Sequence, residues 1–188
     1  MGSIIKVNEY KDFNNNDIMT SDGAGVVTPN ASGIKNTPAF FAYNSAAVTI
    51  SDATTTKARL DSEDFDTDSG FDTSTYRYTV PTGAAGKYAI GYGTEARSTG
   101  NDIFVSEAYL FKNGAQIAVA DMNNNLASNA SHRSLNINRT VILDLTAGDY
   151  LEVYAYIDCD VPPTNFPTLE GGSTAKSTFM GGYKLIGA

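Results

Sequence analysis

Reactive side chains are scarce in this sequence: one cysteine, one histidine and no tryptophan occur in 188 residues. Cys159 alone cannot close an intramolecular disulfide, and with His132 it cannot furnish a Cys/His zinc site, so packing must hold the fold. Basic residues are also few, 13 Lys and Arg against 21 Asp and Glu, for a formal net charge of −8 and no basic cluster. That balance removes the counterion-release contribution to nucleic-acid affinity and the attraction to anionic lipid, so neither is an expected partner. Long apolar runs are missing as well. Residues 1–10 lack the apolar stretch of a secretory leader, and no later segment approaches the roughly 18 apolar residues of a bilayer span. Lys6 breaks the Met-Gly-x-x-x-Ser/Thr acylation pattern. The expectation is a protein assembled in a cytoplasm without membrane insertion.

What is present suffices for a packed domain. With 41% hydrophobic and 11% aromatic residues the chain is too apolar for disorder, and at this length it can bury roughly 70% of its unfolded surface. Two regions differ. Residues 1–36 hold one apolar run (Ile4, Ile5, Val7), a polar Asn14-Asn15-Asn16 stretch, a Ser21-Asp22-Gly23-Ala24-Gly25 turn and Pro29. Such a segment cannot bury itself and is predicted to be an extended arm that docks elsewhere through Ile4, Ile5 and Val7. Residues 37–188 instead contain strand-length segments of high β propensity between Gly, Asp, Asn and Pro clusters, with no sustained helical period.

These segments are 39–43, 47–50, 76–80, 86–92, 106–112, 115–120, 134–138, 140–145, 150–157 and 178–186. Their number and spacing suit an all-β, two-sheet jelly roll of ten strands. Asn113-Gly114 supplies the two positive-φ residues of a type I′ hairpin, and Thr146-Ala147-Gly148-Asp149 is predicted to fold the Val141–Leu143 segment back on Leu151–Val153 as a second hairpin. From Tyr150 to Ile157 the side chains alternate: Leu151, Val153, Ala155 and Ile157 on one face, Tyr150, Glu152, Tyr154 and Tyr156 on the other. The aliphatic face belongs to the core. The tyrosine face carries more amphipathic aromatic surface than solubility requires, and is expected to meet another protein surface.

In order along the chain, Pro38-Ala39-Phe40-Phe41-Ala42, Phe71-Asp72 through Pro81, Gly86-Lys87-Tyr88-Ala89-Ile90, Leu110–Gly114, Leu143–Asp149 and Ser177–Tyr183 resemble the successive motifs of the complement component 1q globular head and the wider tumour-necrosis-factor-like jelly rolls. The resemblance spans about residues 38–187. Arg77 and Gly182 depart from it, standing where that family usually has Gly and Phe. It implies a compact homotrimer with one sheet of each protomer facing the threefold axis. The residues it nominates for the trimer contact are Tyr88, Tyr154, Tyr156, Phe179 and Tyr183, with Ile90, Leu143, Leu145, Leu151 and Val153 in the core. No collagen-like Gly-X-Y stalk precedes the head. Instead Ser3-Ile4-Ile5-Lys6-Val7-Asn8-Glu9, followed by a polar stretch and a Ser-Asp-Gly turn, resembles the start of virion appendage proteins of marine tailed bacteriophages.

Sequence features for catalysis are weak. Asp64, Asp66 and Asp68 are spaced like the first half of a calcium loop, but Gly70 falls one residue late and Thr75 replaces the bidentate acid, so a solvated acidic loop without metal is expected. His132 lies in a polar loop with no nucleophile elbow, and like charge from Asp158 and Asp160 disfavours a Cys159 thiolate. The glycines follow no phosphate-cradling pattern. No cofactor and no enzymatic activity are expected. The expected function is that of a bacteriophage virion structural protein, anchored by its arm to capsid or tail proteins and displayed on the virion surface. It would act as a capsid decoration or cement protein, or as a short head or tail fibre tip touching host glycan or protein. The alternative is a free-standing recognition module for glycan or protein ligands.

Overall fold

A computed structural model describes residues 9–30, 36–100, 102–123, 132–159 and 166–186. Among these residues the chain is all β. Three short strands come first: β1 (Glu9–Lys11), β2 (Asp17–Ser21) and β3 (Val27–Pro29). They pair in order as an antiparallel meander. Within the expected arm of residues 1–36, residues 9–30 thus form paired strands. The polar stretch folds because Asp12 accepts backbone N–H groups from Asn14 (2.8 Å) and Asn16 (2.9 Å), and Asp22 does the same for Ala24 (2.7 Å) and Val26 (3.1 Å). These Asx contacts build the two reversals. The run Ile4, Ile5 and Val7 lies outside the described residues.

The head follows as β4 (Ala39–Tyr43), β5 (Val48–Thr49), β6 (Thr56–Lys57), β7 (Ser62–Asp66), β8 (Phe71–Asp72), β9 (Arg77–Thr79), β10 (Gly86–Arg97), β11 (Ile103–Lys112), β12 (Ala115–Asn123), β13 (Ser134–Leu145), β14 (Tyr150–Cys159), β15 (Thr168–Leu169) and β16 (Phe179–Lys184). One sheet runs β13-β10-β16-β4-β7, with β15 and β5 continuing it at the far end of β10. The second runs β12-β11-β14-β9-β8, with β6 also beside β14. The interior is filled by alternate residues from both sheets. Tyr88, Ile90 and Tyr92 of β10 meet Leu110 of β11 and Leu151, Val153, Ala155 and Ile157 of β14, all essentially without solvent exposure. Leu145 is likewise buried, and Leu143 packs against this core from its edge.

Several boundaries differ from expectation for identifiable reasons. The segments 134–138 and 140–145 form one continuous strand, because β13 pairs without a break along the whole of β10, with Arg139 opposite Tyr92 and its guanidinium Nη1 donating to the Val119 carbonyl of the facing sheet (2.6 Å). The Asn113-Gly114 hairpin forms with φ of 53° and 80°. The Thr146–Asp149 turn is not a hairpin: β13 pairs with β10 in one sheet and β14 with β11 in the other. Leu145 and Leu151, on either side of the turn, both bury fully, which opposed sheets achieve and adjacent strands of one sheet do not require. Bonds between Val80 and this turn (Val80 N–H to Asp149 O, 2.8 Å; Gly148 N–H to Val80 O, 2.9 Å) fix the crossing. The acidic segment around Asp64 is not wholly a loop, since Ser62–Asp66 is the edge strand β7, paired to β4. Charged edge strands resist further strand addition.

Candidate functional site

Each sheet has an outward face, and the two faces differ in chemistry. On the β13-β10-β16-β4-β7 sheet, strand register sets residues side by side in rows. One row is Thr140, Gly91, Gly181, Phe41, Phe65. Its neighbours are Asn138, Gly93, Phe179, Tyr43 and Ile142, Ala89, Tyr183, Ala39. No charged side chain stands in these rows. Small residues floor the face and aromatic rings lie over them. A Cβ on Gly93 would come within 3.0 Å of the Phe179 ring, and one on Gly181 within 2.7 Å of Phe41. Phe41 and Phe179 stack with centroids 5.5 Å apart. The outcome is an open groove of about 410 Å³ lined mainly by Phe41, Phe65, Phe179, Tyr183 and the glycines. Phe65 and Tyr183 remain about half exposed, at 50% and 44%, and Ile142 stands beside them at 58%. An uncharged patch of this kind on a sheet face is a candidate interaction surface.

The outward face of the other sheet is closed by its own side chains. Glu152 of β14 is 3% exposed, and its Oε1 accepts hydrogen bonds from Lys57 Nζ (2.6 Å), Arg77 Nε (2.9 Å) and Arg77 Nη2 (2.8 Å). The Arg77 guanidinium lies 3.9 Å above the Tyr150 ring, and Phe111 packs on Tyr154 at 4.4 Å. Tyr109 donates to Glu107 alongside. Burial pushes the Glu152 carboxyl up, but the hydrogen bonds and charges of Lys57 and Arg77 outweigh it and hold the group below the ordinary glutamate value. Tyr109, Tyr150 and Tyr154 of this face therefore have partners within the protomer.

The five residues nominated for the trimer contact do not share a face. Phe179 and Tyr183 stand on the glycine-floored face, whereas Tyr154 and Tyr156 are on the opposite sheet. Tyr88 is in the core, with its hydroxyl donated to the Ala84 carbonyl (2.7 Å), so its side chain has no route to a partner. The alternation that places Leu151 and Val153 inside was legible; the sheet on which a strand lies was not. Phe41, Phe65, Ile142, Gly91 and Gly181 were missed, although Phe40-Phe41 and the small-residue alternation Ala89, Gly91, Gly93 were available as signals.

The carboxylates considered for calcium are engaged otherwise. Asp64 pairs with Lys176, Asp66 accepts the Phe71 (2.7 Å) and Asp68 (3.4 Å) backbone N–H groups, and Asp68 accepts from the Thr67 hydroxyl (2.6 Å). Among the described residues no three acidic, His or Cys side chains converge as a metal site would need. Cys159 is buried, and burial together with Asp102 and Asp52 pushes its thiol up to about 12, the reverse of an activated nucleophile. His132 joins a backbone bridge to Ile103.

No protein-family model matches this chain, and no curated protein does. Solved structures do match. The globular domain of zebrafish complement 1qA aligns over 79% of this chain and 97% of its own, at 12% identity and a TM-score of 0.54. Eiger TNF from S. frugiperda aligns over 80% and 92%, at 15% identity and a TM-score of 0.54. Murine APRIL aligns over 78% and 98%, at 12% identity and a TM-score of 0.53. The head of this chain thus has the jelly-roll fold of complement component 1q and tumour-necrosis-factor domains.

Proposed function

We propose that the protein is a non-enzymatic homotrimer on the surface of a bacteriophage particle, a capsid decoration protein or a short fibre tip held by its N-terminal region. The observation that carries the trimer is the uncharged face of Phe41, Phe65, Phe179 and Tyr183 over its glycine floor. We assign it to the threefold axis in preference to the tyrosine face, where Glu152 already accepts from Lys57, Arg77 and Tyr154. The trimer implied by the fold resemblance needs one such face per protomer. The virion setting rests on the resemblance of residues 3–9 to phage appendage proteins and on the absence of a basic surface or reactive constellation in the sequence. A second reading, a free-standing recognition module for glycan or protein ligands, is favoured by the structural likeness to a complement 1qA head.

Light scattering of the purified chain at low micromolar concentration tests the trimer. A mass near 60 kDa, three times 20.0 kDa, is expected, and 20 kDa would refute it. Quantitative mass spectrometry of purified particles tests the setting. Hundreds of copies per particle indicate decoration, a handful indicate an appendage, and none supports the free module.

A further inference from the structure

Asn113-Gly114 is the only Asn-Gly step in the sequence, and both residues are exposed at the tip of the β11–β12 hairpin. Such a step is chemically labile in an open chain, because glycine has no Cβ to hinder attack of its amide nitrogen on the preceding side chain. The Gly114 nitrogen bonds to Asn113 Cγ, the Cγ–Nδ2 bond breaks, and Nδ2 leaves as ammonia with the Gly114 amide proton. Water then opens the resulting succinimide at either carbonyl, which leaves aspartate or isoaspartate at the position. Folding opposes the first of these steps. Asn113 donates its N–H to the Tyr150 carbonyl (3.0 Å), accepts the Tyr150 N–H on Oδ1 (2.9 Å) and donates Nδ2 to Asp149 Oδ1 (2.7 Å). Asp149 is anchored in turn by Lys112 Nζ (2.8 Å), the Thr146 N–H (2.8 Å) and the Thr146 hydroxyl (3.0 Å).

We propose that Asn113 is a deamidation site gated by this clamp, silent while the hairpin tip is closed and reactive only when it opens. The turn holds Asn113 and Gly114 at φ of 53° and 80°, and closing a succinimide rotates the Asn113 main chain and side chain out of that turn, which breaks the bonds to Tyr150 and Asp149 together. Exposed turns open at lower free energy than core strands, so the reaction follows opening of the tip and not unfolding of the head. The conversion runs one way. Aspartate at this position replaces the Nδ2 donor by a carboxylate oxygen facing Asp149 Oδ1, so the contact that closed the tip becomes a repulsion. Isoaspartate also lengthens the main chain of a two-residue turn. A modified tip therefore stays loosened from the start of β14, and a molecule that has opened and reacted is permanently marked.

The full chain is incubated at neutral pH in buffer and in denaturing urea, and the peptide containing position 113 is followed by mass spectrometry, with isoaspartate scored by enzymatic methylation. Conversion in buffer should be slower by about tenfold or more, the effect of two hydrogen bonds of ordinary strength. Equal rates overturn the proposal. Asp149→Ala should raise the rate in buffer several-fold and leave the rate in urea unchanged, and a folded Asp149→Ala protein that reacts as slowly as wild type overturns the clamp. Should that variant not fold, Lys112→Met, which frees Asp149 on one side only, is read in the same way. Asn113→Asp, the product, should melt below wild type at neutral pH and approach it on acidification, as the new carboxyl gains a proton to donate to Asp149. No deficit at neutral pH overturns the one-way loosening.

Discussion

Substituting Phe179→Asp places a carboxylate in the middle of the uncharged rows. Within one protomer the loss is modest: Phe179 is half-buried and stacks on Phe41 at 5.5 Å, an aromatic pair worth about 1 kcal/mol. In the trimer the same carboxylate is enclosed, and the nearby Lys176 ammonium, 5.1 Å over the Tyr43 ring, is already paired with Asp64; an unpaired buried charge costs about 3–5 kcal/mol. A closed trimer repeats that penalty three times, roughly 9–15 kcal/mol in all, which is six or more decades in the association constant at about 1.4 kcal/mol per decade. Light scattering at low micromolar concentration should therefore fall from near 60 kDa to near 20 kDa, with the far-ultraviolet circular dichroism of the head retained. The control is Tyr154→Asp on the opposite sheet, which forfeits the Phe111 contact but adds a charge near Lys57. It should stay trimeric. A trimeric Phe179→Asp protein, or a monomeric Tyr154→Asp protein, would show that the axis had been assigned to the wrong sheet.

Three further outcomes follow from side chains inside the protomer. Glu152→Gln removes the negative charge that joins Lys57 and Arg77 while leaving one carbonyl acceptor in its place. Because those cations are 26% and 37% exposed, the loss is discounted to about 1–2 kcal/mol, a melting-temperature drop of about 5 °C for a domain of this size. The folded carboxyl lies below its ordinary value, so its contribution is complete above that value and disappears as pH falls through the folded one. Wild type should thus lose stability more steeply than Glu152→Gln on acidification below about pH 4.5, and parallel melting curves would contradict the network. Gly182→Ala puts a Cβ 2.7 Å from the Ala89 carbonyl and 2.5 Å from Ile90 Cδ1, a clash costing about 1–3 kcal/mol in chemical denaturation, of which Ile90→Val should recover only the Ile90 part. Complete rescue would mean that the backbone contact is unimportant. Cys159 should resist a thiol reagent at pH 8 until the chain is unfolded, and rapid labelling of the native protein would contradict its burial.

How much was legible depends on the range of the interaction. The alternation in β14 and the Asn113-Gly114 turn are local, and both were read correctly because each is decided by neighbours in sequence. The Thr146–Asp149 turn was recognised as a reversal but not as a crossing between sheets, since that depends on Val80 and on the strands already flanking β10 and β11. The same long-range choice decides which aromatic residues face outward together. Tyr154 and Tyr156 stood out by density, while Phe41, Phe179 and Tyr183 are assembled from distant segments and become one surface only through the register of β4 and β16. Gly182, a departure from the family pattern, acquires its reason there as well: Ile90 occupies the space a larger side chain would take.

The glycine floor has a consequence for the thermodynamics of association. Side chains usually surrender rotamer freedom when a partner arrives, at about 0.5–1.5 kcal/mol for each long flexible residue. Here Phe179 and Phe41 rest against main chain at Gly93 and Gly181, so their freedom is spent during folding of the protomer. A partner docking on this face would find these two rings already ordered, so the side-chain share of the association cost would be smaller there, while Phe65, Tyr183 and Ile142 would still have freedom to lose.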